Sequence, residues 1–124
     1  MAEAIARYDA GDVIEPSSAG LIPLGYVADL TKQTLLKNGY RADGLTSDPL
    51  TPEAVEAADI IINMTGRPRE DIFDAPEKVE DWIVQDPFGA GPETYQRVFE
   101  GIQRRVQQLA SDLRDKRLKE KAAK

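Results

Sequence analysis

The spacing of apolar and polar residues alternates between helical and strand-like periods along the chain. Helical spacing covers residues 1–10, 25–38 and 92–118. A further short helix is predicted to begin at Thr51, because a hydroxyl residue there precedes Pro52. The strand-like segments are residues 13–18, 60–64 and 79–84. This alternation predicts an α/β fold of three layers, a parallel sheet flanked by helices.

Two segments carry most of the expected core. Residues 60–64 form a β-branched apolar run, which predicts a strand buried on both faces. In the strand at 79–84, Trp82 and Val84 are predicted to share one face. The last helix is predicted to pack through an apolar stripe of Tyr95, Val98, Phe99, Ile102, Val106, Leu109 and Leu113. One domain is therefore expected over residues 1–118, followed by a charged, frayed tail at 119–124.

Composition narrows the chemistry that this chain can perform. The 124 residues include no Cys and no His, which excludes disulfides, thiolate catalysis and a histidine base within the sequence. No metal or cofactor is expected. The net charge of −6 argues against a nucleic-acid partner. No apolar run is long enough to span a membrane and no secretory signal is apparent, so the expected location is the cytoplasm.

A ligand site, if present, is expected at one edge of the predicted sheet. In open parallel sheets, ligands bind outside the carboxyl ends of the strands. Three segments are predicted to emerge there: residues 17–22, 64–67 and 85–91. Candidate functional residues are therefore sought in these segments.

Four short motifs occur in an order that resembles one family of enzymes. They are Met-Ala-Glu-Ala at residues 1–4, Ser-Ala-Gly at 18–20, Ala-Asp-Ile-Ile-Ile-Asn-Met at 58–64 and Asp-Pro-Phe-Gly at 86–89. Each motif alone is common, but their shared order and spacing resemble the low-molecular-weight protein-tyrosine phosphatases and the related arsenate reductases. The resemblance extends over nearly the whole chain.

The resemblance implies a mechanism and a set of site residues. In this family a thiolate in a Cys-x5-Arg loop attacks phosphorus, and an Asp protonates the leaving oxygen. On this sequence the acid would be Asp86, Ser18 would support the phosphate loop by hydrogen bonding, and Phe88 would be a binding residue of the same Asp-Pro loop. Asp86 also has a structural interpretation as a strand-end turn, and Ser18 as a local hydrogen-bond donor.

The resemblance also implies that a central strand and the phosphate loop are missing ahead of Met1. We therefore expect a catalytically inactive chain, through either a start placed at an internal Met or a genuine loss in the gene. Two unpaired strand edges would cost about 1–3 kcal/mol per dry backbone group. The expected repairs are pairing of the flanking strands, strand exchange in a homodimer, or a strand donated by a partner.

A second class of function stays open at this stage. The chain is interpreted either as a phosphatase-like domain or as a non-catalytic binding or regulatory module. Such a module would use the strand-end cleft or the exposed sheet edge. Phosphate or another small oxyanion is an expected ligand only where the missing loop is present, and neither nucleic acid nor a membrane is an expected partner.

Overall fold

In the computed structural model, helices surround one short pair of strands. The structure describes residues 1–20, 29–42, 44–45, 48–73, 76–85, 87 and 89–122. Within these residues the regular elements are α1 (Ala2–Asp9), α2 (Asp29–Lys37), α3 (Pro52–Ala57), β1 (Ile61–Asn63), β2 (Val79–Asp81) and α4 (Pro92–Ala122). Two 3₁₀ turns lie between the strands, at Arg69–Asp71 and Pro76–Lys78. The predicted α/β fold with a small parallel sheet and flanking helices is confirmed.

Local sequence signals explain where α2 ends and where α3 begins. The Thr51 hydroxyl oxygen accepts a hydrogen bond from the backbone N–H of Ala54 at 3.1 Å, and Pro52 occupies the first helical position. At the end of α2, Gly39 has a φ of +86°, a backbone conformation that is unfavourable for residues that carry a Cβ atom. Both predicted helix boundaries are confirmed.

The core lies where α4 packs against α1 and α2. Five members of the predicted α4 stripe are buried: Tyr95, Val98, Phe99, Ile102 and Val106. Phe99, with Ile5 of α1 and Leu35 of α2, is among the largest fully buried side chains. The stripe is therefore core packing, as its helical spacing predicts.

Polar side chains join the same helices at the rim of the core. The Asn38 and Gln96 amides donate hydrogen bonds to each other at 2.8 and 3.1 Å, which connects the end of α2 to α4. The Tyr40 hydroxyl donates to Asp9 Oδ2 at 2.6 Å and accepts from Gln103 Nε2 at 2.8 Å. These bonds fix the relative rotation of the helices, because each needs a particular pair of faces to meet.

Two short parallel strands form the sheet. β1 pairs with β2 in the register Ile61 to Val79 and Asn63 to Asp81. Immediately after β2, the Trp82 N–H donates to the Asn63 carbonyl oxygen at 2.9 Å. Beyond β2, Trp82 is buried and Val84 packs partly against the core, as predicted, whereas the Ile83 side chain between them is 89% exposed.

The expected strand at residues 13–18 does not form. Val13 lies in a turn, residues 14–19 have no regular structure, and pairing begins only at Gly20, which makes an isolated parallel bridge with Pro49. Pro16 has no N–H to donate to a ladder, and Ser17 and Ser18 have little β-propensity. The prediction rested on a short β-branched stretch that these residues interrupt.

The strand at residues 60–64 is also less enclosed than predicted. Ile60 is 44% exposed, and Ile61 and Ile62 are half-buried. Burial on both faces requires neighbouring layers and strands, and β1 has one strand neighbour, β2, among the described residues. An apolar run predicts a buried strand only where the rest of the sheet is present.

A bidentate ion pair connects the C-terminal half of α4 to the turn after α1. Arg114 Nη2 lies 2.8 Å from Asp12 Oδ1, and Arg114 Nε donates to Asp12 Oδ2 at 2.9 Å. The same guanidinium donates to the Asp9 carbonyl oxygen at 3.0 Å. The hydrogen bonds from Arg114 hold the pKa of Asp12 at about 2, below its usual value of 3.8.

Because the pKa of Asp12 is lowered in the folded state, its contribution to stability is present above the unfolded pKa near 4 and is lost as the pH falls toward about 2. We expect Arg114→Gln to lower the free energy of unfolding at neutral pH, and the difference from wild type to shrink over that acid range. Urea denaturation at several pH values measures it. Arg104→Gln, an exposed arginine of the same helix, is the control, and a pH-independent difference for Arg114→Gln would contradict the assignment.

Candidate functional site

The carboxyl ends of β1 and β2 open onto the same edge of the sheet. β1 ends at Asn63 and leads into a turn over residues 64–67, while β2 ends at Asp81 and leads into residues 82–85. In parallel sheets this edge is where ligands bind, because strand ends and the loops after them converge there. The site is therefore built from these two strand ends.

A buried amide holds the two strand ends together. The Asn63 side chain is 4% exposed, and its Nδ2 donates to Asp81 Oδ1 and to the Arg67 carbonyl oxygen, both at 2.8 Å. Its Oδ1 accepts from the Thr65 N–H at 3.2 Å and from the Thr65 hydroxyl at 2.7 Å. All four hydrogen-bonding positions of the amide are thus used. Asn63 fixes the turn after β1 relative to the end of β2.

Two arginines follow β1 in different surroundings, Arg67 in the turn and Arg69 at the start of the 3₁₀ turn after it. Arg69 Nη1 donates to the Val79 carbonyl oxygen at 2.7 Å, and Arg69 Nε donates to Glu70 Oε1 at 3.3 Å. The Arg69 guanidinium therefore connects the 3₁₀ turn to β2. The Arg67 side chain is exposed, and its backbone N–H donates to Thr65 Oγ1 at 3.1 Å. Arg67 is therefore exposed, whereas Arg69 is half-buried.

Ser18 lies beside the first turn of α1. Its hydroxyl donates to Glu3 Oε1 at 3.3 Å, and Glu3 also pairs with Arg7 Nη2 at 3.5 Å. Ser18 is exposed and belongs to the irregular segment that replaces the expected strand. The contact places Ser18 next to the start of the helix that the family resemblance associates with phosphate binding.

The other two predicted site residues, Asp86 and Phe88, lie outside the described residues. Gln85 and Pro87 on either side of Asp86 are described, and Gly89 after Phe88 has a φ of +83°, which glycine accommodates. Among the described residues no three His, Cys, Asp or Glu side chains are grouped so as to hold a metal ion. No helix in the described part of the chain is long and apolar enough to cross a membrane.

Sequence reasoning missed the Asn63 network. The signal was present, because Asn63 follows three isoleucines in the most apolar strand of the chain, and a buried amide must find hydrogen-bond partners. Asp81 is the partner at the end of β2, but a sequence does not give the register that brings the two side chains together.

The comparisons with known proteins assign this arrangement to a family. The sequence profile of the low molecular weight phosphotyrosine protein phosphatases matches residues 1–123. The chain belongs to this family. The phosphatase fold is shared with solved structures over most of their length, and a search of curated proteins finds no significant match.

Three solved relatives illustrate the range of the fold. YwlE arginine phosphatase from Geobacillus stearothermophilus is 22% identical, with 95% of this chain and 86% of that chain covered and a TM-score of 0.84. A low molecular weight protein tyrosine phosphatase from T. tengcongensis is 19% identical, with coverages of 90% and 88% and a TM-score of 0.80. An arsenate reductase in its reduced state is 24% identical, with coverages of 90% and 86% and a TM-score of 0.69. At such identities the likeness concerns the phosphatase fold.

The Asn63 amide is expected to contribute measurably to the stability of this phosphatase-family domain. Asn63→Leu leaves the Thr65 N–H and the Arg67 carbonyl oxygen without their partner, which costs about 1–3 kcal/mol in the free energy of unfolding. Urea denaturation measures the loss, and hydrogen exchange at Thr65 and Arg67 should accelerate. Glu80→Ala, an exposed substitution on β2, is the matched control. Equal effects of the two substitutions would contradict a special role for the amide.

Proposed function

We propose that this chain is a low-molecular-weight phosphatase scaffold that does not perform the family reaction with its own residues. The observation that carries the proposal is the absence of cysteine from all 124 residues of a chain that matches the family over residues 1–123. The family reaction as implied by the resemblance begins with attack by a thiolate, and no other side chain supplies one. Arsenate reduction through cysteines is disfavoured on the same ground.

The hydroxyl groups near the strand ends are poor substitutes for a thiolate. A serine or threonine hydroxyl needs an adjacent base to become a nucleophile at neutral pH, and the sequence has no histidine. The Thr65 hydroxyl already donates to Asn63 Oδ1 and accepts from the Arg67 N–H. Ser18 is exposed, and its hydroxyl donates to Glu3 at the long distance of 3.3 Å. These contacts support an inactive chain.

The site residues keep the roles that the resemblance implies. In this proposal Asp86 is the family's general acid, which would protonate the leaving oxygen once a nucleophile is supplied. Ser18 supports the phosphate-binding loop, and Phe88 borders the substrate. The position of Ser18 beside the first turn of α1 supports its part of the assignment, because a phosphate loop at a helix N-terminus would lie close to that turn.

The purified chain is expected to give no turnover of a generic aryl phosphate above the buffer rate. Colour release from p-nitrophenyl phosphate, followed across pH, measures it, with an active family phosphatase as the positive control. Turnover that co-purifies with the chain through successive columns, and that is lost in a site variant, would contradict the proposal.

A gain-of-function variant tests the assignment of Asp86. We expect a chain with a designed strand and a Cys-x5-Arg loop joined ahead of Met1 to acquire aryl phosphate turnover. Changing the loop cysteine to serine should abolish that turnover, and Asp86→Asn should lower kcat by about 10²–10³-fold, as expected for loss of a general acid. Asp115→Asn, at an exposed aspartate of α4, is the matched control. Equal losses for the two asparagine variants would contradict the role of Asp86.

A second candidate function is a binding or regulatory module, and one observation favours it. The edge of β1 opposite β2 has no strand paired with it among the described residues, and Ile60 beside it is exposed. An open strand edge is a template for pairing with another chain. Phosphate binding is proposed only with a Cys-x5-Arg loop present, and a homodimer through strand exchange or pairing at this edge belongs to the same second function.

A further inference from the structure

The end of α2 carries an asparagine followed by a glycine, Asn38 and Gly39, and this pair has a covalent chemistry of its own. The backbone nitrogen of the glycine can attack the side-chain carbonyl carbon, Cγ, of the asparagine, because glycine has no side chain that obstructs the approach. A Cγ–N bond forms and closes a succinimide ring. The Cγ–Nδ2 bond breaks, and Nδ2 leaves as ammonia with the proton of the glycine N–H. Water then opens the ring to aspartate or isoaspartate.

The folded chain holds both reacting groups in other contacts. Asn38 Nδ2 donates to the Thr34 carbonyl oxygen at 2.7 Å and to Gln96 Oε1 at 2.8 Å, and Asn38 Oδ1 accepts from Gln96 Nε2 at 3.1 Å. The attacking nitrogen belongs to Gly39, whose N–H donates to the Leu36 carbonyl oxygen at 3.1 Å. Ring closure therefore requires the amide to leave α4 and the turn after α2 to open.

The turn around Gly39 is itself anchored in the core. The Tyr40 N–H donates to the Leu35 carbonyl oxygen at 2.9 Å, and together with the bond from Gly39 to Leu36 it forms the Schellman motif that ends α2. Tyr40 is buried, and its ring lies 5.5 Å from that of Phe99. The turn therefore opens only by local unfolding of the end of α2, which costs more than the movement of an exposed loop.

The product of the reaction does not fit the place of the amide. A carboxylate at position 38 has no N–H, so the Thr34 carbonyl oxygen and Gln96 Oε1 lose their donor. Gln96 Nε2 also donates to Glu100 Oε1 at 3.3 Å, which places a second carboxylate beside the same amide. Position 38 directly follows Lys37, the last residue of α2, and a negative charge is unfavourable at the C-terminus of a helix. The modified chain therefore favours the open form.

We propose that Asn38 is a site of spontaneous deamidation, that the contact between α2 and α4 controls its rate, and that the reaction weakens this contact permanently. The docked helix slows the reaction, and each opening of its end allows it. Because the product cannot restore the bonds to Thr34 and Gln96, modified chains accumulate in a less stable form. The inference goes beyond the scaffold and binding functions proposed above and depends on neither of them.

Mass spectrometry of the full chain, incubated at neutral pH, measures the reaction as the mass gain from loss of ammonia and uptake of water. We expect position 38 to react at least about tenfold more slowly in the folded chain than in a peptide of residues 35–42, because local opening limits the reaction. Asn63, the other asparagine, is followed by Met64 and should stay unmodified as an internal control. Equal rates at position 38 in the chain and the peptide would overturn the proposal.

Matched variants test the part that α4 plays. Gln96→Ala removes the partner of the Asn38 amide and leaves both reacting groups unchanged, whereas Gln107→Ala makes the same change at an exposed glutamine of α4. We expect Gln96→Ala to accelerate deamidation by at least about fivefold, as expected for loss of two hydrogen bonds, and Gln107→Ala to leave the rate within about twofold. Equal rates in the two variants would contradict control by the contact with α4.

A second measurement needs no substitution and decides should Gln96→Ala fail to fold. Hydrogen exchange at the Gly39 and Tyr40 amides measures opening of the same turn. In urea below the unfolding transition of the wild-type chain, we expect exchange at these amides and deamidation at position 38 to accelerate by the same factor. A deamidation rate that stays constant while exchange accelerates would overturn the proposal.

The consequence for the contact is tested with Asn38→Asp, which supplies the charge of one product without the reaction. We expect this variant to unfold at a lower urea concentration than the wild-type chain, because the bonds to Thr34 and Gln96 are lost. Gln33→Glu, which adds the same charge at an exposed position of α2, is the control. Equal midpoints of the two variants would show that deamidation does not weaken the contact between α2 and α4.

Discussion

The packing of the α4 stripe against α1 and α2 is the interaction on which the rest of the structure depends. Phe99, Ile5 and Leu35 come from three helices and are fully buried. Each such side chain contributes about 1.5–3 kcal/mol by leaving water, before the entropy of ordering is subtracted. The three helices therefore meet in one cluster, against which Trp82, after β2, and Ile62 of β1 also pack.

The sheet is attached to that core through a small number of contacts. An isolated pair of strands is marginally stable in water, so β1 and β2 need an anchor. Trp82, directly after β2, is buried in the helical core, and Arg105 of α4 lies 6.0 Å from the centre of its ring and donates to the Ile83 carbonyl oxygen at 3.1 Å. The Asn63 amide then fixes the turn after β1. The positions of the two strand ends therefore depend on the Trp82 side chain and the Asn63 amide.

The sequence predicted those elements whose causes are local. The start of α3 at Thr51 and Pro52, the end of α2 at Gly39 and the buried face of α4 follow from caps and helical spacing, and all are observed. The predicted strand at 13–18 does not form. A strand needs a pairing partner that sequence spacing does not reveal, and Pro16, Ser17 and Ser18 have little intrinsic preference for extended structure. The Asn63 network escaped prediction for the same reason, since it depends on the register between β1 and β2. Asp86 and Phe88 stay predictions.

Charge surrounds the strand pair in the part of the chain that the structure describes. Asp59, just ahead of β1, and Glu80 and Asp81 of β2 are all exposed and carry the same sign. Apolar strands exposed at the edge of a sheet promote aggregation, and proteins commonly protect them with charge. The acidic side chains therefore oppose pairing of this strand pair with a second copy, because like charges would be brought together.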